Sequence, residues 1–200
     1  MVDQRIEKIA DILLNHSTKV KEGDYVIIEG EYQALELIKI LYKKILQKGA
    51  FPIPKIGDDQ FHSMYYKYAP DNVLKTFPEI AYNELKKVDC LIALRAPKNL
   101  KEMADVDPNK ITDRTKLLEP IKTERLKKRW IVFNFPTNSF AQEAGMSLED
   151  FEDFVYNACI QDWNKISKEQ EKYIKLMESG SEVRIIGKDT DIKLKIKGRQ

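Results

Sequence analysis

With 200 residues, the chain has room for one α/β domain, or for one domain and the start of a second. Its 34 Lys and Arg against 32 Asp and Glu leave a formal net charge of +2, which excludes the strongly basic balance of a nucleic-acid binder. The two cysteines sit in apolar runs, "VDCLIAL" and "FVYNACI", and read as reduced, buried thiols rather than a disulfide framework, so a cytoplasmic location is expected.

The opening "MVDQRIEKIADILL" is charged every few positions, unlike a signal peptide, and later apolar runs are too short to span a bilayer, so no membrane association is expected. Ile6, Ile9, Ile12 and Leu13 recur at helical spacing and predict an amphipathic helix ending near His16. "GDYVIIEG" predicts a buried strand. "QALELIKILYKKILQK", residues 33–48, predicts a helix, with Gly49 placed for a left-handed C-cap. "AFPIPKI" reads as a strand whose prolines, unable to donate ladder bonds, push it to a sheet edge.

"FHSMYYKYA" and "PEIAYNELKKV" read as helices, and "DCLIALRA" as a strand buried on both faces. Between Pro97 and Pro120 the chain is polar; "DVDPNKITDRT" reads as turn and loop before a helix through Lys128. "RWIVFNF" is the next predicted buried strand, stopped by Pro136. Strands and helices alternating in this way predict an α/β fold of three layers, a largely parallel sheet with helices on both faces. A helix through "SKEQEKYIKLMESG" then leads to "EVRIIG" and "DIKLKIKG", a C-terminal antiparallel hairpin around "KDT". The expected division is an N-terminal α/β domain over 1–180 and, over 181–200, a hairpin that begins a second domain.

Three kinds of chemistry can be weighed on this frame. A phosphate cradle should follow the first strand, but "IIEGEYQALEL" supplies Gly30 alone between Glu29 and Glu31, which would repel a pyrophosphate. Neither cysteine has a charged or histidine sequence neighbour to stabilise a thiolate, and no G-x-S-x-G elbow is present. The basic run "KTERLKKR" contains Glu124 and reads as a solvated helix face rather than a phosphate patch. Ligands of open parallel sheets bind beyond the C-terminal strand ends, which nominates Glu29, Arg95 and Asn134 for a ligand crevice; each also reads as a cap, a salt bridge or a loop contact.

Metal binding is raised by "QEAGMSLEDFEDFVYNACIQDW", residues 142–163, which holds Glu143, Glu149, Asp150, Glu152, Asp153 and Asp162. The chain has only His16 and His62, with no H-E-x-x-H. Ser147 is placed as an N-cap and Asp150 as its capping-box acid, which makes Leu148 the first helical residue. Leu148, Phe151, Phe154, Val155, Ala158 and Cys159 then form an apolar stripe, and Glu149, Glu152 and Asp153 fall on the opposite, solvent side, near the positive end of the helix dipole. The acids thus read as caps and surface charges.

"NFPTNSFAQEAGMSLEDFEDFVYNACIQDW" closely resembles a proline turn, A-Q-E-A-G-M-S, acidic-aromatic helix and closing D-W found in the thermophilic metal-dependent aminopeptidases of the aminopeptidase T and aminopeptidase S type. "EKIADILLNHSTKVKEGDYVIIEG", "ADVDPNKI" and "EVRIIGKDTDIKLKIKGR" extend the resemblance over essentially the whole chain. It implies an exopeptidase that removes N-terminal amino acids from peptides with two divalent metal ions (Zn, Co or Mn), acting as a homodimer. It also implies metal ligands in the C-terminal half of a chain about twice this length, so no catalytic, metal or cofactor residue maps here and no metal is expected on this chain. The resulting expectation is an N-terminal portion, inactive alone, serving as scaffold, dimer surface or substrate-chamber wall. The alternative is a stand-alone α/β ligand- or partner-binding module derived from such an enzyme.

Overall fold

The computed structural model describes residues 3–198. Asp3 caps helix α1, Gln4–Asp11, by accepting from the Arg5 amide. The helix then widens into a π-helical turn, Ile12–Ser17. Leaving that turn, the Thr18 amide bonds back to Leu13 O at 3.0 Å and Val20 N to Leu14 O at 2.9 Å, while Lys19 takes a φ of 48°. Carbonyls freed at this exit are taken up by Arg129, whose Nη1 donates to Thr18 O at 3.1 Å and Lys19 O at 2.7 Å. The predicted opening helix is therefore present, with a wide turn that no residue pattern announces.

Four strands form the main sheet: β1 Tyr25–Glu31, β2 Phe51–Gly57, β3 Cys90–Arg95 and β4 Arg129–Asn134. All pair in parallel in the order β2-β1-β3-β4. β2 is an edge, as its prolines require. Helix α2, Leu35–Gln47, links β1 to β2 and ends at Gly49, whose φ of +71° meets the left-handed C-cap. Helices α3 (Gln60–Tyr68), α4 (Asp71–Leu74) and α5 (Glu79–Lys87) lead to β3. α6 (Pro108–Leu117) and α7 (Glu119–Leu126) lead to β4, and α8 (Asn138–Glu143) and α9 (Leu148–Cys159) follow.

Two expectations need correction. Most of the segment read as loop is α6: Asp107 accepts from Asn109 N at 2.9 Å and Pro108 occupies the first turn, a start signal that outweighs the polar composition. Arg114 is the buried residue of that helix, so it lacks the apolar stripe that periodicity reads. β4 is also not a buried strand. It is the second sheet edge, with Trp130 and Val132 exposed by 44% and 43% and only Phe133 buried.

Strand alternation divides the core by face. On one side Val26, Ile28, Cys90, Ile92, Leu94 and Phe133 pack with α1, α2 and Tyr156 of α9. On the other, Ile27, Leu91 and the half-buried Ile53 meet Leu85 and Val88 at the end of α5, with Ile121 of α7. Helices thus cover both faces of an α/β sheet. The polypeptide divides into two compact units, one ending at Ile160 and one from Gln161. The second contains α10, Trp163–Ser179, and the antiparallel hairpin β5, Glu182–Gly187, with β6, Thr190–Lys195. By this division α10 goes with the hairpin, whereas the sequence reading places the boundary after residue 180.

Candidate functional site

The chain runs from β1 outward to β2 and then returns across β1 to β3, so the sheet reverses its winding between β1 and β3. On the α5 and α7 face, apolar positions stop early toward the C-terminal strand ends. The paired row Ile27, Ile53 and Leu91 gives way to Glu29, Lys55 and Ala93, and then to the pair Glu31 and Gly57, with Arg95 at the end of β3. The opposite face stays apolar through Ile28, Leu94 and Phe133. Where the first face turns polar, a cavity of about 370 Å3 opens, lined by Glu29, Glu31, Asp59, His62, Arg95 and Arg125 among others. A second lobe of about 240 Å3 shares Glu31, Asp59, His62 and Arg95 with it.

Of the three nominated residues, Glu29 and Arg95 meet at this crevice. Asn134 pairs in register with Arg95 but is exposed at the sheet edge and lines neither lobe. Glu29 forms an ion pair with Arg125 of α7, and Lys55 with Glu84 of α5. Glu31 accepts from the Ala96 amide. Asp59 accepts from the amides of Lys98 and Asn99 at 2.9 and 3.1 Å. Asp58 pairs with Lys98, which holds its carboxyl below the usual carboxylate range. Sequence reading missed Glu31, Asp59, His62 and Arg125; Glu31 was available from period-two alternation with Glu29, whereas the other three lie on connections whose placement no local pattern sets.

The acidic segment has a different use. Ser147 Oγ accepts from Asp150 N at 3.1 Å and donates to the Asp150 carboxylate at 2.7 Å, so the predicted cap forms. Most of the predicted stripe does face inward: Leu148, Phe151, Val155 and Cys159 are partly buried, and Val155 and Cys159 pack against the core. Phe154 is 63% exposed and Ala158 is exposed, while Tyr156 is buried. Asp153 is exposed as expected and Glu152 is partly buried; both reach Arg5 of α1, which also stacks over the Tyr156 ring at 4.7 Å. Packing against α1 adds Tyr156 to the inward face that the apolar spacing of α9 sets. Partial burial raises the Glu152 carboxyl, with Arg5 opposing.

Among the described residues, no group of three or more His, Cys, Asp or Glu is arranged to hold a metal ion. His62 is the lone imidazole lining the crevice. These residues therefore do not fit a divalent metal pair. The basic run at 122–129 is likewise internally compensated: Lys127 and Lys128 pair with Glu124 at 3.0 and 3.3 Å, and Arg129 with Asp24 at 2.8 Å. No described helix is long and apolar enough to cross a membrane.

No curated protein matches the sequence. Wild-type AmpT from Thermus thermophilus has the same fold, with a TM-score of 0.79 at 18% identity over 96% of this chain and 53% of that one. The chain thus spans about half the length of that relative. The family model described as thermophilic metalloprotease (M29) matches residues 2–200, and the chain belongs to that metallopeptidase family.

Proposed function

We propose that these 200 residues are the N-terminal α/β portion of a metal-dependent aminopeptidase that removes N-terminal amino acids from peptides. The observation that carries this reading is the family match over residues 2–200. Agreement in fold with AmpT over about half of its length supports it. In this reading the divalent metal ions (Zn, Co or Mn) are held by residues outside these 200; that no group of three or more His, Cys, Asp or Glu among the described residues is arranged to hold a metal is consistent with it. The portion then serves as scaffold, dimer surface or wall of the substrate chamber of a cytoplasmic homodimer, and is inactive alone.

The test is hydrolysis of aminoacyl p-nitroanilides by the purified chain with zinc, cobalt or manganese added, together with its solution mass by light scattering. The expected outcome is no turnover above buffer and a mass of two chains. Robust metal-dependent turnover by the 200-residue chain overturns the assignment of the metal site to other residues, and a monomeric mass removes the dimer role.

A further inference from the structure

The crevice between β1 and β3 lies where open α/β sheets bind ligands, outside the carboxyl ends of the strands at the point where the winding reverses. Its charges are unevenly spent. Glu29, Glu31, Asp58 and Asp59 each accept from a partner within the chain, as does Glu102 of the second lobe, which takes the Ser63 hydroxyl at 2.6 Å. Lys55 and Arg125 are ion-paired. Arg95 and His62, which line both lobes, make no side-chain hydrogen bond or ion pair with any described residue.

The Arg95 guanidinium is therefore an unspent planar fork, suited to two parallel bonds to a carboxylate. The many acids around it disfavour a polyphosphate. They do not disfavour a monoanion carrying its own cation, because a carboxylate already accepting one or two donors retains lone pairs for an ammonium group. We propose that this crevice binds a small zwitterionic carboxylate, with Arg95 on the carboxylate and Glu31 and Asp59, which border both lobes, facing the ammonium. Free amino acids and short peptides share this chemistry. The inference does not rest on the peptidase reading, since no metal and no hydrolysis enter it.

The test follows backbone amide resonances of the full chain while leucine, dileucine, leucinamide, 4-methylpentanoate or inorganic pyrophosphate is added. Leucine or dileucine is expected to shift the amides of Gly30, Glu31 and Ala93 to Ala96 saturably. Leucinamide, which lacks the carboxylate, and 4-methylpentanoate, which lacks the ammonium, are expected to bind at least about tenfold more weakly. Preference for leucine assigns a free amino acid, and preference for dileucine a peptide terminus; either supports the site. Arg95→Gln should weaken the preferred ligand about tenfold, leaving other resonances in place, and Arg95→Lys should weaken it too by losing the fork. The proposal is overturned if neither zwitterion binds up to about 10 mM, if leucinamide, 4-methylpentanoate or pyrophosphate binds as well, or if Arg95→Gln binds like the parent chain.

Discussion

Replacing Gly30 by alanine tests how closely β1 and β3 approach below the crevice. A Cβ on Gly30 would lie 2.9 Å from Leu94 Cβ and 2.9 Å from Leu94 O. Both are fixed parts of the neighbouring strand, in register with Gly30, so rotation of a side chain cannot relieve the clash. Overpacking of this kind costs about 1 to 3 kcal/mol. Gly30 is not among the glycines with positive φ, so alanine there also narrows the unfolded ensemble and gains about 0.4 to 1 kcal/mol. At the midpoints of these ranges the clash wins, and Gly30→Ala should lose about 1.3 kcal/mol. For a chain of this length that is a fall in Tm of roughly 3 to 5 °C. Gly57, at the end of β2 on the same crevice, is the control. A Cβ there meets nothing within 4 Å, and its φ is not positive, so Gly57→Ala should be neutral or gain up to about 1 kcal/mol. Urea unfolding followed by circular dichroism gives both values. Equal stability of the two variants would refute the close approach as the reason for glycine at position 30.

Two further outcomes follow from a partly buried carboxylate and a buried thiol. Burial alone would push the Asp24 carboxyl up, but its bonds from Arg129 and the Lys21 amide outweigh this and hold it below the usual carboxylate range. A depressed folded value contributes stability above the unfolded value of about 4, lost as pH falls through the folded one. Asp24→Asn should therefore be less stable than the parent at pH 7, with the gap closing in urea titrations as the pH falls below the unfolded value of about 4; a gap independent of pH contradicts the ion pair. Burial raises the Cys90 thiol to about 11, and its side chain is fully enclosed. At pH 8 Cys90 should resist iodoacetamide, followed by peptide mass mapping, until denaturant unfolds the sheet; fast labelling of the native chain contradicts its burial.

The residue pattern by itself determined the alternation of strands and helices, the edge placement of β2 and the caps at Gly49 and Ser147, because these depend on periodicity, proline, glycine and capping chemistry over a few residues. It misread α6 as loop because that helix buries an arginine instead of an apolar stripe. It placed most of the inward face of α9 but missed Tyr156 and the partial burial of Glu152, because both depend on Arg5 of α1, distant in sequence. The nominated crevice was legible only in part. Topology placed Glu29 and Arg95 at strand ends, but only the order β2-β1-β3-β4 decided that they adjoin and that Asn134 stands at an exposed edge. Pairing was decided at the same level: Arg125 reaches Glu29 and the 98–99 amides reach Asp59 through long-range packing, which leaves Arg95 without a partner among the described residues. Local sequence can specify which groups are charged, but which charges remain available to a ligand depends on what the fold brings against them.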